Sequence, residues 1–383
     1  MLKPSAAAMA VEPAAAAAGG AADSNAMETD DAAAAEAEDD DGMTAAVLSK
    51  ITSTSKTLSK ARKKRVTKPE GLATVDAIQG YAEASSFSGL HSASAGITCM
   101  SVGNPNDSFI LTGASDKTAT LFDTAAEKVV QKMRGHKKKV TGVILHPAGG
   151  ADTAITCSAD KTVKVWQPST GECRHTISTH TGEVSGISLH PVQDYVLSVS
   201  ADKHWGFNAL TTGKTLAYCT DQAITAGYSC TQIHPDGKIF AAGTTDSMIH
   251  IWDIKNQKLQ LSLPGHEGSV KGMAFSENGY YFATASADAT VKLWDLRKAG
   301  ADMSIHTIKM DDDAKVNSVA FDHTGNYLAL GGSNVQVYTY ASKKWEHVHT
   351  LASHSKDVNA VAFGPNAQTI YSASSDRFVK IYK

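Results

Sequence analysis

Histidines, aspartates and hydroxyls recur along this 383-residue chain in an order that could support acid–base chemistry. His91, His136, His180, His266 and His354 each precede an aspartate: Asp116, Asp160, Asp202, Asp288 and Asp376. A sixth aspartate, Asp246, has no histidine before it. Ser158, Ser200, Thr244, Ser286 and Ser374 stand two residues ahead of their aspartates. An imidazole held by a carboxylate beside a hydroxyl is the apparatus of nucleophilic catalysis, and His with Asp can also ligate a metal. Either use needs one asymmetric cluster. The same pairing strung five times along a chain instead suits the satisfaction of partly buried donors and acceptors. The sequence therefore assigns no catalytic residue, no metal ligand and no cofactor.

Six residues beyond each aspartate come Phe122, Trp166, Asn208, Trp252, Trp294 and Tyr382, and Tyr338 fills the place in a copy that lacks the aspartate. The successive gaps are 44, 42, 44, 42, 44 and 44. A sustained period in the low forties is the spacing of WD repeats, and seven copies make seven blades. Within a copy, VKGMAF (270–275), the turn SENG, then YYFATAS, an Asp turn and TVKLWD alternate apolar and polar positions in the manner of strands. KLQLSL (258–263) reads as the fourth, outer strand of its copy. The predicted fold class is all-β: a seven-bladed WD-repeat β-propeller over residues 79–383, preceded by a disordered N-terminal tail.

The chain ends at Tyr382-Lys383, inside the third strand of the last copy. An open edge there would invite mispairing, so residues 80–90 are expected to supply the missing outer strand. Three copies depart from the pattern. The third has Asn208-Ala209 where Trp-Asp would stand, and the fourth and sixth put Ile224 and Met310 where the loop histidine belongs. These blades are expected to be looser and to lean on apolar packing.

Charge divides the rest. Residues 1–45 hold ten acids, one base and mostly Ala and Gly, the composition of a disordered tail. Residues 46–78 read as a basic linker with a short helix near TAAVLSKITSTSKTLSK (44–60). The remainder is nearly neutral, which argues against a dedicated nucleic-acid binder. Five scattered cysteines without C-x-x-C spacing fit neither a disulfide framework nor a zinc site, and point to a reducing compartment. No apolar run is long enough to span a membrane, and the first residues lack the layout of a secretory signal. The tripeptide in TTGKT (211–215) is a hairpin turn, because position 208 is Asn where a phosphate loop needs Gly. Lys132, Arg134, Lys137, Lys138 and Lys139 form a dense basic loop, a candidate contact for RNA or an acidic partner. Lys60, Arg62, Lys63, Lys64 and Arg65 have the look of a nuclear import signal.

The runs KARKKRVTKPEGL, GLHSASAGI, ILTGASDKTATLFD, RGHKKKVTGVILHP and FSENGYYFATASADATVKLWDLRK resemble the pre-mRNA-processing factor 19 family. So do the irregular third copy (ADKHWGFNALTTGK) and the shortened sixth turn in YLALGGSNVQVY. The resemblance implies a loop His, turn Asp, strand Ser/Thr and Trp bonded across strands. It also implies a nuclear protein of a splicing complex, with protein partners there and further roles in DNA repair and ubiquitin signalling. Family members carry a U-box that makes them ubiquitin ligases and a coiled coil that makes them tetramers. Neither pattern is seen in residues 1–57, so this chain is expected to act as a non-catalytic scaffold; the alternatives are a ubiquitin ligase, if an upstream U-box is missing from this sequence, and a general WD-repeat substrate receptor.

Overall fold

Every repeat folds into four antiparallel strands, because its apolar residues alternate and its polar turns fall at fixed intervals. The computed structural model describes residues 42–63, 69–103, 108–147, 152–298, 303–310, 315–341 and 344–383. The acidic tail up to residue 41, Lys64, Arg65 and the acidic tip at 311–313 lie outside them. Seven four-stranded sheets follow one another: blade I (97–134), II (140–177), III (184–219), IV (228–263), V (270–309), VI (318–351) and VII (358–382). The fold is a seven-bladed β-propeller.

Blade VII takes its fourth strand from the other end of the ring. Glu83–Phe87 pairs antiparallel with Val379–Tyr382, placing Glu83 opposite Tyr382 and Phe87 opposite Val379. Lys380 Nζ lies 2.7 Å from the Glu83 carboxylate. The Phe87 ring sits 4.8 Å from that of Phe122 in blade I. Both ends of the propeller are thus tied into one sheet.

Middle strands are buried along their whole length, as in Tyr195–Ser200, whereas outer strands such as Glu172–Ile177 are largely exposed. The core lies between neighbouring blades. Trp205 of blade III meets Trp252 of blade IV with ring centroids 5.7 Å apart, and Phe240 packs 5.1 Å from Trp205.

The tight turn after each second strand explains its aspartate. Lys117, Lys161, Lys203, Ser247, Ala289 and Arg377, each just after a turn aspartate, adopt φ of 70, 74, 70, 75, 61 and 81°. These are costly values for side chains other than Gly. The Asp160 carboxylate accepts the Thr162 N–H and hydroxyl at 3.1 and 2.6 Å, and Asp288 does the same for Thr290. That closed Asp turn offsets the strain.

The segment read as a basic linker with a short helix contains a helix that docks on the propeller. Helix α1 (Ala45–Lys63) brings Val47 and Ile51, with Met43 just before it, into one apolar cluster with Tyr195, Val192 and Ile254 of blades III and IV, and Ile51 is buried. Spacing of four residues puts Val47 and Ile51 on one face of the helix. Lys50 pairs with Asp194, and Arg62 with Asp236. A short helix α2 (Val75–Gln79), N-capped by Thr74, buries Ile78 against blades VI and VII. Tyr327 Oη donates to Ala73 O at 2.7 Å, and Tyr81 Oη to Ala367 O at 2.8 Å. No helix among the described residues is long and apolar enough to cross a membrane.

Candidate functional site

In blade II the repeated polar residues form a relay with one consistent direction. Trp166 Nε1–H donates to Thr156 Oγ1 at 2.8 Å. The Thr156 hydroxyl then has its proton free for His136 Nε2 at 2.7 Å, and His136 Nδ1–H donates to Asp160 at 2.9 Å. Asp160 also accepts the Lys137 N–H at 2.7 Å, which pins the loop to the turn. Blade V repeats the relay through Trp294, Thr284, His266 and Asp288 at 2.9, 2.8 and 2.9 Å. In blade VII, His354 bridges Ser372 and Asp376 at 2.7 Å each, with Tyr382 Oη 3.3 Å from Ser372. Blade I has His91 between Thr112 at 2.9 Å and Thr118 at 3.0 Å, with Asp116 3.4 Å away.

The bridging hydroxyl is not the one expected from sequence. Ser158, Ser200, Ser286 and Ser374 stay out of the relay and hold the loop and turn backbone. Ser158 donates to Lys139 O at 2.7 Å and accepts the Asp160 N–H at 3.1 Å. Ser200 accepts the Asp202 N–H. Ser286 and Ser374 donate to Gly268 O and Lys356 O. Thr244 reaches Asp246, which has no histidine and takes the Thr225 hydroxyl instead. Residues 156 and 158 face the same side of the strand and are both fully buried; the register, with Ala154 opposite Trp166, places Thr156 beside the Trp ring and leaves Ser158 at the turn.

Blade III also departs from expectation. Asn208 takes over from Trp, its Nδ2 donating to Ser198 Oγ at 3.1 Å, while its Oδ1 accepts the Thr215 hydroxyl at 2.8 Å. His180 completes the relay to Ser198 and Asp202 at 2.8 and 3.2 Å. Blades IV and VI do rely on apolar packing: Ile224 and Ala242 flank Trp252, and Met310 and Leu328 lie with Tyr338 and Trp345.

Burial pushes the His91, His136, His266 and His354 imidazoles down, and their aspartates restore only part of the shift. Burial pulls Asp160 and Asp288 the other way, but hydrogen bonds from threonine, backbone and histidine outweigh it and hold both near 2. A neutral imidazole beside an ionised carboxylate is the state that the relay geometry requires. Such a pair does no chemistry on a substrate, because each Nε2 is capped by a fully buried hydroxyl: Thr112, Thr156, Ser198, Thr284 and Ser372. A general base must reach the proton it takes.

Two further systems lock blade to blade. At the start of most inner strands a bulge re-aims the second side chain toward the next blade. Thr98 donates to Val140 O at 2.6 Å, Thr141 to Val184 O at 2.5 Å, and Ser185 to Tyr228 O at 2.6 Å. Ser229, Asn317 and Asn359 continue with Val270 O, Val358 O and Ile97 O, while blade V has Lys271 at this place. These residues line a channel mouth of about 620 Å³. On the opposite face His146, His190 and His234 reach Gln193 O, Gly237 O and Gly279 O of the following blade at 2.9, 2.9 and 3.0 Å. Their sequence mark is a His-Pro dipeptide repeated at 146, 190 and 234.

The basic residues separate into two groups. Lys139 is spent on Glu183 at 2.9 Å. Lys132, Arg134, Lys137 and Lys138 form no side-chain ion pair among the described residues. Lys132 and Arg134 line a cleft of about 260 Å³ with His91, Ser92, Asp116 and Thr118. Of the import-like run, Lys60 is exposed, but Arg62 is largely buried against Asp236. The thiols of Cys99 and Cys230 are pushed up to about 12 by burial, so neither is a nucleophile. All five cysteines are free.

Seven blades, five held by an inward-facing relay and two by apolar packing, all presenting loops outward, define a WD-repeat β-propeller, a protein class that works through its loop faces. The sequence pattern of the Prp19 WD40 domain matches residues 90–376, and the chain belongs to that family. It is 40% identical over 343 residues to pre-mRNA-processing factor 19 of Bos taurus, covering 89% of this chain and 67% of that one. The Caenorhabditis elegans protein of the same name is 38% identical over 344 residues, covering 89% and 68%. Pre-mRNA-processing factor 19 homolog 2 of Arabidopsis thaliana is 36% identical over 348 residues, covering 89% and 64%.

Proposed function

We propose that this chain is a non-catalytic protein-interaction scaffold of a nuclear pre-mRNA splicing complex. The observation that carries the reading is the inward direction of the His–hydroxyl–Asp relays in blades I, II, III, V and VII. Histidine, hydroxyl and aspartate are consumed in holding blades, and what remains for other molecules is a set of loops on a rigid ring. Membership of a family whose relatives are named as pre-mRNA-processing factors supplies the splicing context. The same platform would serve DNA-repair and ubiquitin-linked roles by presenting partners, not by reacting with them.

Affinity capture on residues 1–383 from nuclear extract tests this. Splicing proteins are the expected recovery, and an eluate without them overturns the reading in favour of a general WD-repeat receptor. In a reconstituted ubiquitin-transfer reaction this chain is expected to yield no product above background. Robust ligation would defeat the non-catalytic part.

A further inference from the structure

The propeller is close to neutral, yet its cations are not evenly spread. Lys117 sits in the strained turn beside Asp116, Lys132 and Arg134 end the outer strand of blade I, and Lys137 and Lys138 follow in the loop to blade II. None of the five has a side-chain ion-pair partner among the described residues. The acids beside them are already occupied. Asp116 accepts from the Ser92 N–H at 2.9 Å and the Thr118 hydroxyl at 2.7 Å, and Asp160 from His136, Lys137 and Thr162. Glu183 is taken by Lys139. The rim of blade I therefore sets five cations against the two ionised carboxylates of Asp116 and Asp160, an excess of positive charge around a cleft lined only by polar residues.

We propose that this rim binds the phosphate backbone of single-stranded RNA, with one phosphate seated in the cleft between Lys132 and Arg134. An acidic peptide offers the same charge, but tight peptide docking needs a buried apolar or aromatic anchor. Among the described residues the rim has none: the exposed large hydrophobic ones are Val75, Val129, Val130, Tyr280 and Tyr340, and the two on this blade lie at the opposite end of its outer strand. Charge without a side-chain pocket suits a repeating polyanion read by its backbone and indifferent to base sequence. The Asp116 carboxylate, also in the cleft, limits the seat to one phosphate.

The proposal stands apart from the scaffold reading, since purified protein can bind RNA whether or not it captures splicing proteins. Fluorescence anisotropy of a labelled 12-nucleotide RNA with the full chain tests it across 50–200 mM KCl. Five phosphate contacts give a log–log salt slope of about −3.5, so affinity falls roughly 100-fold over that range. K132E/R134E is expected to weaken binding at least about tenfold and flatten the slope, with an unchanged melting temperature. If that variant misfolds, K132Q/R134Q is measured in its place, with the slope flattened by about 1.4. Absence of binding at 50 mM KCl, or equal binding by the variant, overturns the proposal. So does displacement by polyglutamate as effective as by unlabelled RNA of equal charge, which would give the rim to an acidic protein.

Discussion

Thr156→Val tests the relay where its failure is easiest to read. Thr156 is fully buried and serves two groups at once, accepting from Trp166 Nε1–H at 2.8 Å and donating to His136 Nε2 at 2.7 Å. Valine keeps the shape and removes both bonds. A buried polar group left without a partner costs about 1–3 kcal/mol, so the two together cost about 2–6 kcal/mol. In a protein of this size the melting temperature should fall by roughly 4 °C or more. Thermal unfolding followed by tryptophan fluorescence reads the global effect, and exchange of the Trp166 indole proton reads the local one. Blade IV supplies the control, since it lacks His and hydroxyl together, with Ile224 and Ala242 in their places. His136→Ile with Thr156→Ala copies that solution and should cost less than the sum of the single changes, because both partners leave at once. A T156V protein within about 0.5 kcal/mol of wild type, with a still-protected Trp166 indole, would refute the relay as a stabilising device.

Acidification supplies a second test. His91, His136, His266 and His354 have folded pKa values depressed by burial, so between pH 7 and 5 the unfolded chain takes up protons that the folded one refuses. Melting temperature should fall over that range. It should fall again below pH 4, where unfolded aspartates titrate near 3.8 while Asp160 and Asp288 stay ionised to about 2. A flat or rising profile from pH 7 to 5 contradicts the assignment. Deleting residues 83–87 should broaden the unfolding transition in calorimetry, because it opens the edge of blade VII; an equally sharp transition would count against it. Asp236→Ala should release the end of α1 and speed tryptic cleavage within residues 50–62 by about tenfold or more, since it strands Arg62 in a buried site. Unaltered cleavage would show that α1 is held without that pair.

The blade count was readable because period survives substitution. Phe122, Asn208 and Tyr338 replace Trp without moving the 42–44-residue interval. The bridging hydroxyl was harder, since two hydroxyls precede Asp160, Asp202, Asp288 and Asp376, both face the same side and both are fully buried. A further signal was present: position ten before Trp is Thr112, Thr156, Ser198, Thr284 or Ser372, and it becomes Ala242 or Leu328 in the copies without the histidine. The inner ring of Thr98, Thr141, Ser185, Ser229 and Asn359 could not be read, because a bulge, and not alternation, aims those side chains. Docking of α1 was equally hidden. Its docked apolar residues are only Val47 and Ile51, with Met43 just before it, amid Ser, Thr and Lys, and tertiary contact, not propensity, sets its place.

Closure of the ring is what the relays, the inter-blade hydrogen bonds and the outward loops all presuppose. Amide hydrogen exchange measures it directly at Glu83–Phe87 and Val379–Tyr382, the strands that join the two ends of the propeller. Hydrogen-bonded amides in both segments should exchange as slowly as those of central strands such as Tyr195–Ser200. Fast exchange in these two strands, with slow exchange everywhere else, would mean an open ring and contradict the account.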